Sequence, residues 1–241
     1  MKGFLTSVRA MFQFCTILPL GQPADYDEYA RRFYLMPLTG YLVGGLAALA
    51  SVLFADLQLS AAVALAVVMV IYGFNHFDGL LDLGDGLMAH GSREKRIKAL
   101  TDQQIGAGGV ATGILVLLLT YSGLLSVASI PFAILAAEVM AKFSQVVFVV
   151  NGKPFREGMH SYTHSFTKWW FTPVAFMLCL PLLLLPLNAF EFGGIFIGMA
   201  IPVILLYVLS NRLFGGVNGD VAGASNEIVR MFVIIALAIL S

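Results

Sequence analysis

Three aspartates, Asp78, Asp82 and Asp85, stand four and then three residues apart in Asn75-His76-Phe77-Asp78-Gly79-Leu80-Leu81-Asp82-Leu83-Gly84-Asp85-Gly86. On a helix, this i, i+4, i+7 spacing puts all three carboxylates on one face. Three like charges on one face repel, and beside hydrocarbon each is costly unless a cation neutralises it. Oxygen-only donors favour magnesium or manganese, and magnesium commonly joins carboxylates to substrate phosphates while keeping several waters. The cluster therefore points to Mg2+ and a phosphate or diphosphate substrate, with Gly79, Gly84 and Gly86 leaving room for it. The plainer alternative is helix-end capping with a turn at Asp85-Gly86, but a cap needs one carboxylate, not three.

Other chemistry-bearing residues lie outside this face. His76 could act as a base, a ligand or simply a hydrogen-bonding residue. Asp102 precedes a glycine-rich stretch, Gly106-Ala107-Gly108-Gly109, where exposed backbone NH groups at a helix start could hold an anion. Asn218, Asp220 and Glu227 lie in a second glycine-rich segment beside an apolar run. Glu138 and Lys142, four residues apart within an apolar stretch, read either as an ion pair or as substrate contacts, and Glu227 with Arg230 allows the same two readings. Residues 151–168 carry Arg156, Glu157, His160, Tyr162 and His164, suited to a lid or a nucleoside-contacting surface.

The elements that must position these residues are membrane spans. Of 241 residues, 59% are hydrophobic and 12% charged, where a soluble domain has about a quarter charged. Apolar runs of spanning length predict seven transmembrane helices near 33–55, 58–76, 107–126, 130–150, 169–189, 192–210 and 226–240, forming one all-α polytopic bundle with a single membrane domain over 1–241. Asp56 with Gln58, Pro131, and Glu191 with Gly193 and Gly194 mark breaks between spans. The segment 3–20 is shorter and amphipathic and is expected at the interface. A net charge of zero argues against a nucleic-acid partner. Cys15 and Cys179 are isolated among apolar neighbours, so no zinc site or redox pair is expected.

Charge placement orients the bundle. Of the fourteen basic residues, all but Lys142 and Arg230, that is twelve, fall on one face in this layout, and the loops near 56, 128 and 191 have none. The positive-inside rule then places the N-terminus, the long loops and the aspartate cluster on the cytoplasmic side of the cell membrane. An odd number of spans puts the C-terminus outside.

The pattern His-x-Asp-Gly-Leu-x-Asp-x-x-Asp-Gly is met in full by His76, Asp78, Gly79, Leu80, Asp82, Asp85 and Gly86, and it resembles the cobalamin synthase family of prokaryotic membranes. The likeness continues through Phe14 to Pro19, Met36 to Gly40, Asp102 to Gly109 and Gly215 to Glu227, essentially the whole chain. Two segments depart: Asp102-Gln103-Gln104-Ile105-Gly106 stands where the family usually has Asp-Ser-Arg-x-Gly, and Asn218-Gly219-Asp220 stands for Thr-Gly-Asp.

The resemblance implies a magnesium-dependent transferase that moves adenosylcobinamide phosphate from adenosylcobinamide-GDP to alpha-ribazole or its 5'-phosphate, releasing GMP. On this reading Asp78, Asp82, Asp85 and Asp220 hold metal, His76 or Asp102 takes the proton from the attacking hydroxyl, and Arg32, Gln104, Lys142, Arg156, Asn218 and Glu227 contact substrate. A homo-oligomer, or a complex with other enzymes of nucleotide loop assembly, is compatible with it. The alternatives are a CDP-alcohol phosphotransferase, although Leu81-Asp82 occupies the Ala-Arg positions of that family's motif, and a cation-coupled transporter built on broken helices.

Overall fold

Phe74 is the one non-glycine residue with a positive φ, 60°, among the described residues, and it follows Gly73 at φ 61°. The pair turns the chain sharply, so helix α4 (Leu57–Ile71) meets helix α5 (Asn75–Met88) at 91°. The predicted span 58–76 therefore ends at its break, and the aspartates occupy a helix of their own. The computed structural model describes residues 2–240.

Before this break lie α1 (Lys2–Cys15), short α2 (Tyr26–Ala30) and α3 (Met36–Ser51), which a 3-10 turn at Phe33–Leu35 precedes. Beyond it follow α6 (Arg93–Leu100), α7 (Ala107–Leu124), α8 (Ile130–Asn151), α9 (Met159–Phe166), α10 (Phe171–Cys179), α11 (Ala189–Leu213) and α12 (Gly219–Leu240). α10 continues into a 3-10 turn, Leu180–Leu184, and meets α9 at 95°. Five spans are single helices, counting the Phe33–Leu35 turn with α3, and the total is seven if each bent pair counts as one.

Sequence markers do local work at the helix starts. Asp56 caps α4 by accepting from Leu59 N at 2.7 Å. Asn188 and Glu191 form a capping box on α11, and Pro131 sits in the first turn of α8, where its missing NH costs nothing. Cys15 and Cys179 are buried and unpaired.

α8 is the most enclosed span, lying between α3 and α12. In lipid, close helix approach depends on small residues at the contact. Gly40 and Gly44, one turn apart on α3, meet α8 this way: a Cβ on Gly40 would lie 2.6 Å from the Val139 Cα. Buried in this region are Glu138, Lys142, Glu227 and Arg230. Arg230 pairs with both Glu227 and Glu138. Lys142 turns elsewhere, its Nζ bonding the His76 ring and, at 3.3 Å, Gln145 Oε1, and lying 3.7 Å from the Tyr72 ring centroid. The i, i+4 pairing of Glu138 with Lys142 is thus replaced by a contact across helices. Two carboxylates and two cations nonetheless share one buried region, which is neutral in sum.

Candidate active site

α5 packs between α7 and α12, and glycines set both contacts. A Cβ on Gly79 would lie 2.9 Å from the Asp220 carbonyl oxygen, so the aspartate helix crosses α12 at its first turn. On the other side Gly84 faces Thr112 and Gly108, and Gly113 faces Leu81 and Phe77. The crossing brings Asp220, far away in sequence, into electrostatic range of Asp82 and Asp78. Asp220 begins a span rather than sitting in a connecting loop, because α12 starts at Gly219, earlier than the predicted 226.

Asn218 prepares Asp220. Its Oδ1 accepts from Val221 N at 3.1 Å, capping α12, while its Nδ2 donates to Asp220 Oδ2 at 2.6 Å. Arg156 is the cation facing this face, acting on both Asp82 and Asp220. It is held there by a two-residue bridge in which Val217 N donates to Lys153 O at 2.8 Å and Phe155 N to Val217 O at 3.3 Å. None of the ion pairs among the described residues involves Asp78, Asp82, Asp85 or Asp220.

Asp85 has a different occupation. Its Oδ2 accepts from Gly106 N at 2.7 Å and its Oδ1 from Gly109 N at 2.8 Å. Those NH groups belong to the first turn of α7, where no intrahelical acceptor exists and the helix dipole is positive. Asp85 is therefore a cap supplied by a neighbouring helix, and it pins the glycine-rich loop to the aspartate helix.

Asp78, Asp220 and His76 line a cavity of about 370 Å³ that Phe14, Tyr26, Tyr29 and Phe33 also line. α9 also lines it and is tied to α2 by Tyr162, which donates to Asp27 Oδ1 at 2.7 Å, and by Tyr26 with Thr163 Oγ1 at 2.8 Å. That tyrosine bond, with Arg31 behind it, holds the exposed Asp27 carboxyl below its ordinary range.

The remaining predicted residues are dispersed. His76 reaches the cavity, but Lys142 meets its Nε2 and Gln145 lies 3.2 Å from its Nδ1. Asp102 and Gln104 line a separate exposed groove with Lys98, and Asp102 accepts from the Gln104 backbone at 3.1 Å. Arg32 binds Glu28 at 2.8 Å together with Ser7, bracing α1 against α2. Lys142 and Glu227 lie in the buried polar region behind the cavity. The aromatic lining leaves no motif in the sequence, because its rings come from α1, α2 and the Phe33–Leu35 turn.

The carboxylates fit a divalent cation by donor chemistry. Asp78, Asp82 and Asp220 offer oxygen alone, and no ion pair neutralises them. Among the described residues no group of three or more acidic, His or Cys side chains is closed into a metal-binding set. An open set suits magnesium, which completes its shell with waters and substrate phosphates.

The model of a protein family described as cobalamin-5-phosphate synthase matches residues 7–238. The chain is 32% identical to the adenosylcobinamide-GDP ribazoletransferase of Methanococcoides burtonii, covering 99% of this chain and 94% of that one. It is 34% identical to the proteins of the same name from Methanosarcina mazei and Methanosarcina barkeri, covering 99% and 100% of this chain and 94% of each relative. No solved structure matches. A likeness end to end, carried by a family model over nearly every residue, places this multi-pass membrane protein in the cobalamin-5-phosphate synthase family.

Proposed function

We propose that the protein transfers adenosylcobinamide phosphate from adenosylcobinamide-GDP to a ribose hydroxyl of alpha-ribazole or of its 5'-phosphate, with release of GMP. The observation that carries this reading is the convergence of Asp78, Asp82 and Asp220 beside a nucleoside-sized cavity, without a neutralising ion pair. The acceptor oxygen attacks the phosphorus that carries cobinamide. A new P–O bond forms, the diphosphate bond breaks, and GMP leaves with the electron pair.

Asp78, Asp82 and Asp220 are the residues that would hold Mg2+. Bound there, magnesium would neutralise charge on the nonbridging and leaving oxygens. Arg156 contacts phosphate from the opposite side, and Asn218 keeps Asp220 oriented. The hydroxyl proton passes to the carboxylate face, where Asp78 and Asp220 line the cavity. His76, with partners at both ring nitrogens, acts as a positioning residue that seats the first turn of α5, and Asp85 anchors the loop carrying Asp102 and Gln104. The basic residues of α6 and of the 151–168 segment support a mouth on the cytoplasmic side of the cell membrane.

Purified protein in detergent, given magnesium and both substrates, should release GMP, and Asp82→Ala should abolish release while the protein stays folded. Substantial turnover by Asp82→Ala would remove Asp82 from the mechanism. Release of CMP from a CDP-alcohol would favour the alternative transferase.

A further inference from the structure

Two short helices share one seam beside the cavity. α2 has five residues and α9 eight, too few to stand as helices by themselves, so contacts hold them in place. The seam is bonded twice, at consecutive residues. On its inner side Tyr26 and Thr163, which both line the cavity, bond each other at 2.8 Å. On its outer side Asp27 accepts at 2.7 Å from Tyr162, which is 48% exposed and does not line the cavity. A third contact lies one turn along α9, where the Arg31 guanidinium stands 4.9 Å from the Phe166 ring centroid while pairing with Asp27 at 3.2 Å. Because the inner and outer pairs are sequence neighbours, two side-chain bonds separate the cavity from the surface here.

The two ends of α9 are held differently. Its C-terminal half is anchored, because His164 Nδ1 donates to the Val149 carbonyl oxygen of α8 at 2.7 Å. Its N-terminus hangs from Gly158, at φ 155°, a conformation glycine adopts freely, and a Cβ there would meet nothing within 4 Å. With an anchor at one end and open space at the other, α9 can pivot at His164 once the seam bonds part. Its first residue, Met159, lines the cavity and is 75% exposed, so a swing widens the cavity on that side. The carboxylate side has its own opening, where Asn75, Asp78 and Gly219 are exposed. There the donor's diphosphate is proposed to sit, with a corrinoid too large for a cavity of about 370 Å³.

We infer that the α2–α9 seam is a gate, a second way into the cavity that passes a nucleoside-sized molecule while the donor lies across the carboxylates. The traffic is the acceptor entering or GMP leaving, and neither carries a corrinoid. The identity of that traffic rests on the proposed activity, whereas the gate rests on the seam alone. Asp27 and Tyr162 are gating residues: they touch no reacting atom, and their bond sets how often the entrance opens.

The test locks the seam. Cys15 and Cys179 are buried, so in the double variant Asp27→Cys, Tyr162→Cys a short, reducible bis-thiol reagent joins the two introduced cysteines. Locked protein should lose multiple turnover, and reduction should restore it. The order of addition then names the traffic. Product that forms once, and only when alpha-ribazole is loaded before locking, assigns the gate to the acceptor. Product that forms once in either order, with GMP retained on the protein, assigns it to GMP. Undiminished multiple turnover by locked protein would overturn the gate. A second readout needs no activity: Cys15 lines the cavity, and its labelling by methyl methanethiosulfonate, read by mass spectrometry, reports entry. Tyr162→Phe, which removes only the outer hydroxyl, should raise that labelling about fivefold, the worth of one ordinary hydrogen bond, and the lock should lower it. Labelling that neither change moves would overturn the gate. Labelling that follows the seam in a protein that releases no GMP would leave the gate standing and overturn the activity.

Discussion

Gly79 and Asp220 touch through backbone: a methyl group on Gly79 would stand 2.9 Å from the Asp220 carbonyl oxygen and 3.1 Å from its Cα. This crossing sets the distance between the two aspartates of α5 that face α12 and the third on α12. Gly79→Ala should force the helices apart, lowering stability by about 1–3 kcal/mol as overpacking does and reducing GMP release far more than that loss explains. Gly45→Ala is the control, since a Cβ there meets nothing within 4 Å. Thermal unfolding in detergent and turnover at saturating substrate check both.

Asp85 and the aspartates proposed to hold magnesium should separate under magnesium titration. Asp85→Ala removes the cap on α7 and should cost about 1 kcal/mol, leaving the magnesium concentration for half-maximal GMP release unchanged. Asp78→Asn should raise that concentration without loosening α7.

Chelation should abolish GMP release completely, and either magnesium or manganese should restore it, as expected of an all-oxygen donor set. Recovery of full turnover in excess chelator would remove the metal from the proposal.

Arg230 holds Glu138 and Glu227 inside the bundle, all three 3% exposed or less. Arg230→Met strands two carboxylates and should cost about 3–5 kcal/mol, the usual penalty for breaking a buried pair from one side. The unfolding temperature of the detergent-solubilised protein measures it.

Asp27 links α2 to α9 through Tyr162. Its carboxyl is held below the ordinary carboxylate range, first by the Tyr162 hydrogen bond and then by Arg31. Its contribution is therefore fully present above the unfolded carboxyl range and is lost as pH falls through the lower folded value. Proteolytic nicking of residues 151–168 should rise in that acid window, and Tyr162→Phe should show the same rise at neutral pH.

Span content was legible from residue order because apolar length is a one-dimensional property, and the capping residues Asp56, Asn188 and Glu191 mark helix starts locally. The common face of Asp78, Asp82 and Asp85 was equally legible, since i, i+4 and i+7 depend only on helical pitch, and the surrounding pattern pointed to the family. What the tertiary structure alone decided is which charge answers which. Glu138 finds Arg230, 92 residues away, rather than Lys142 one turn along. Asp85 bonds Gly106 and Gly109 while staying in electrostatic range of Asp82, and the crossing at Gly79 sets where Asp220 stands beside Asp78 and Asp82. Close approaches at glycines decide these partnerships, together with the sharp turn at Gly73 and Phe74, and none leaves a periodic trace in sequence. The cavity likewise draws its lining from seven helices and the Phe33–Leu35 turn, so no single segment could announce it.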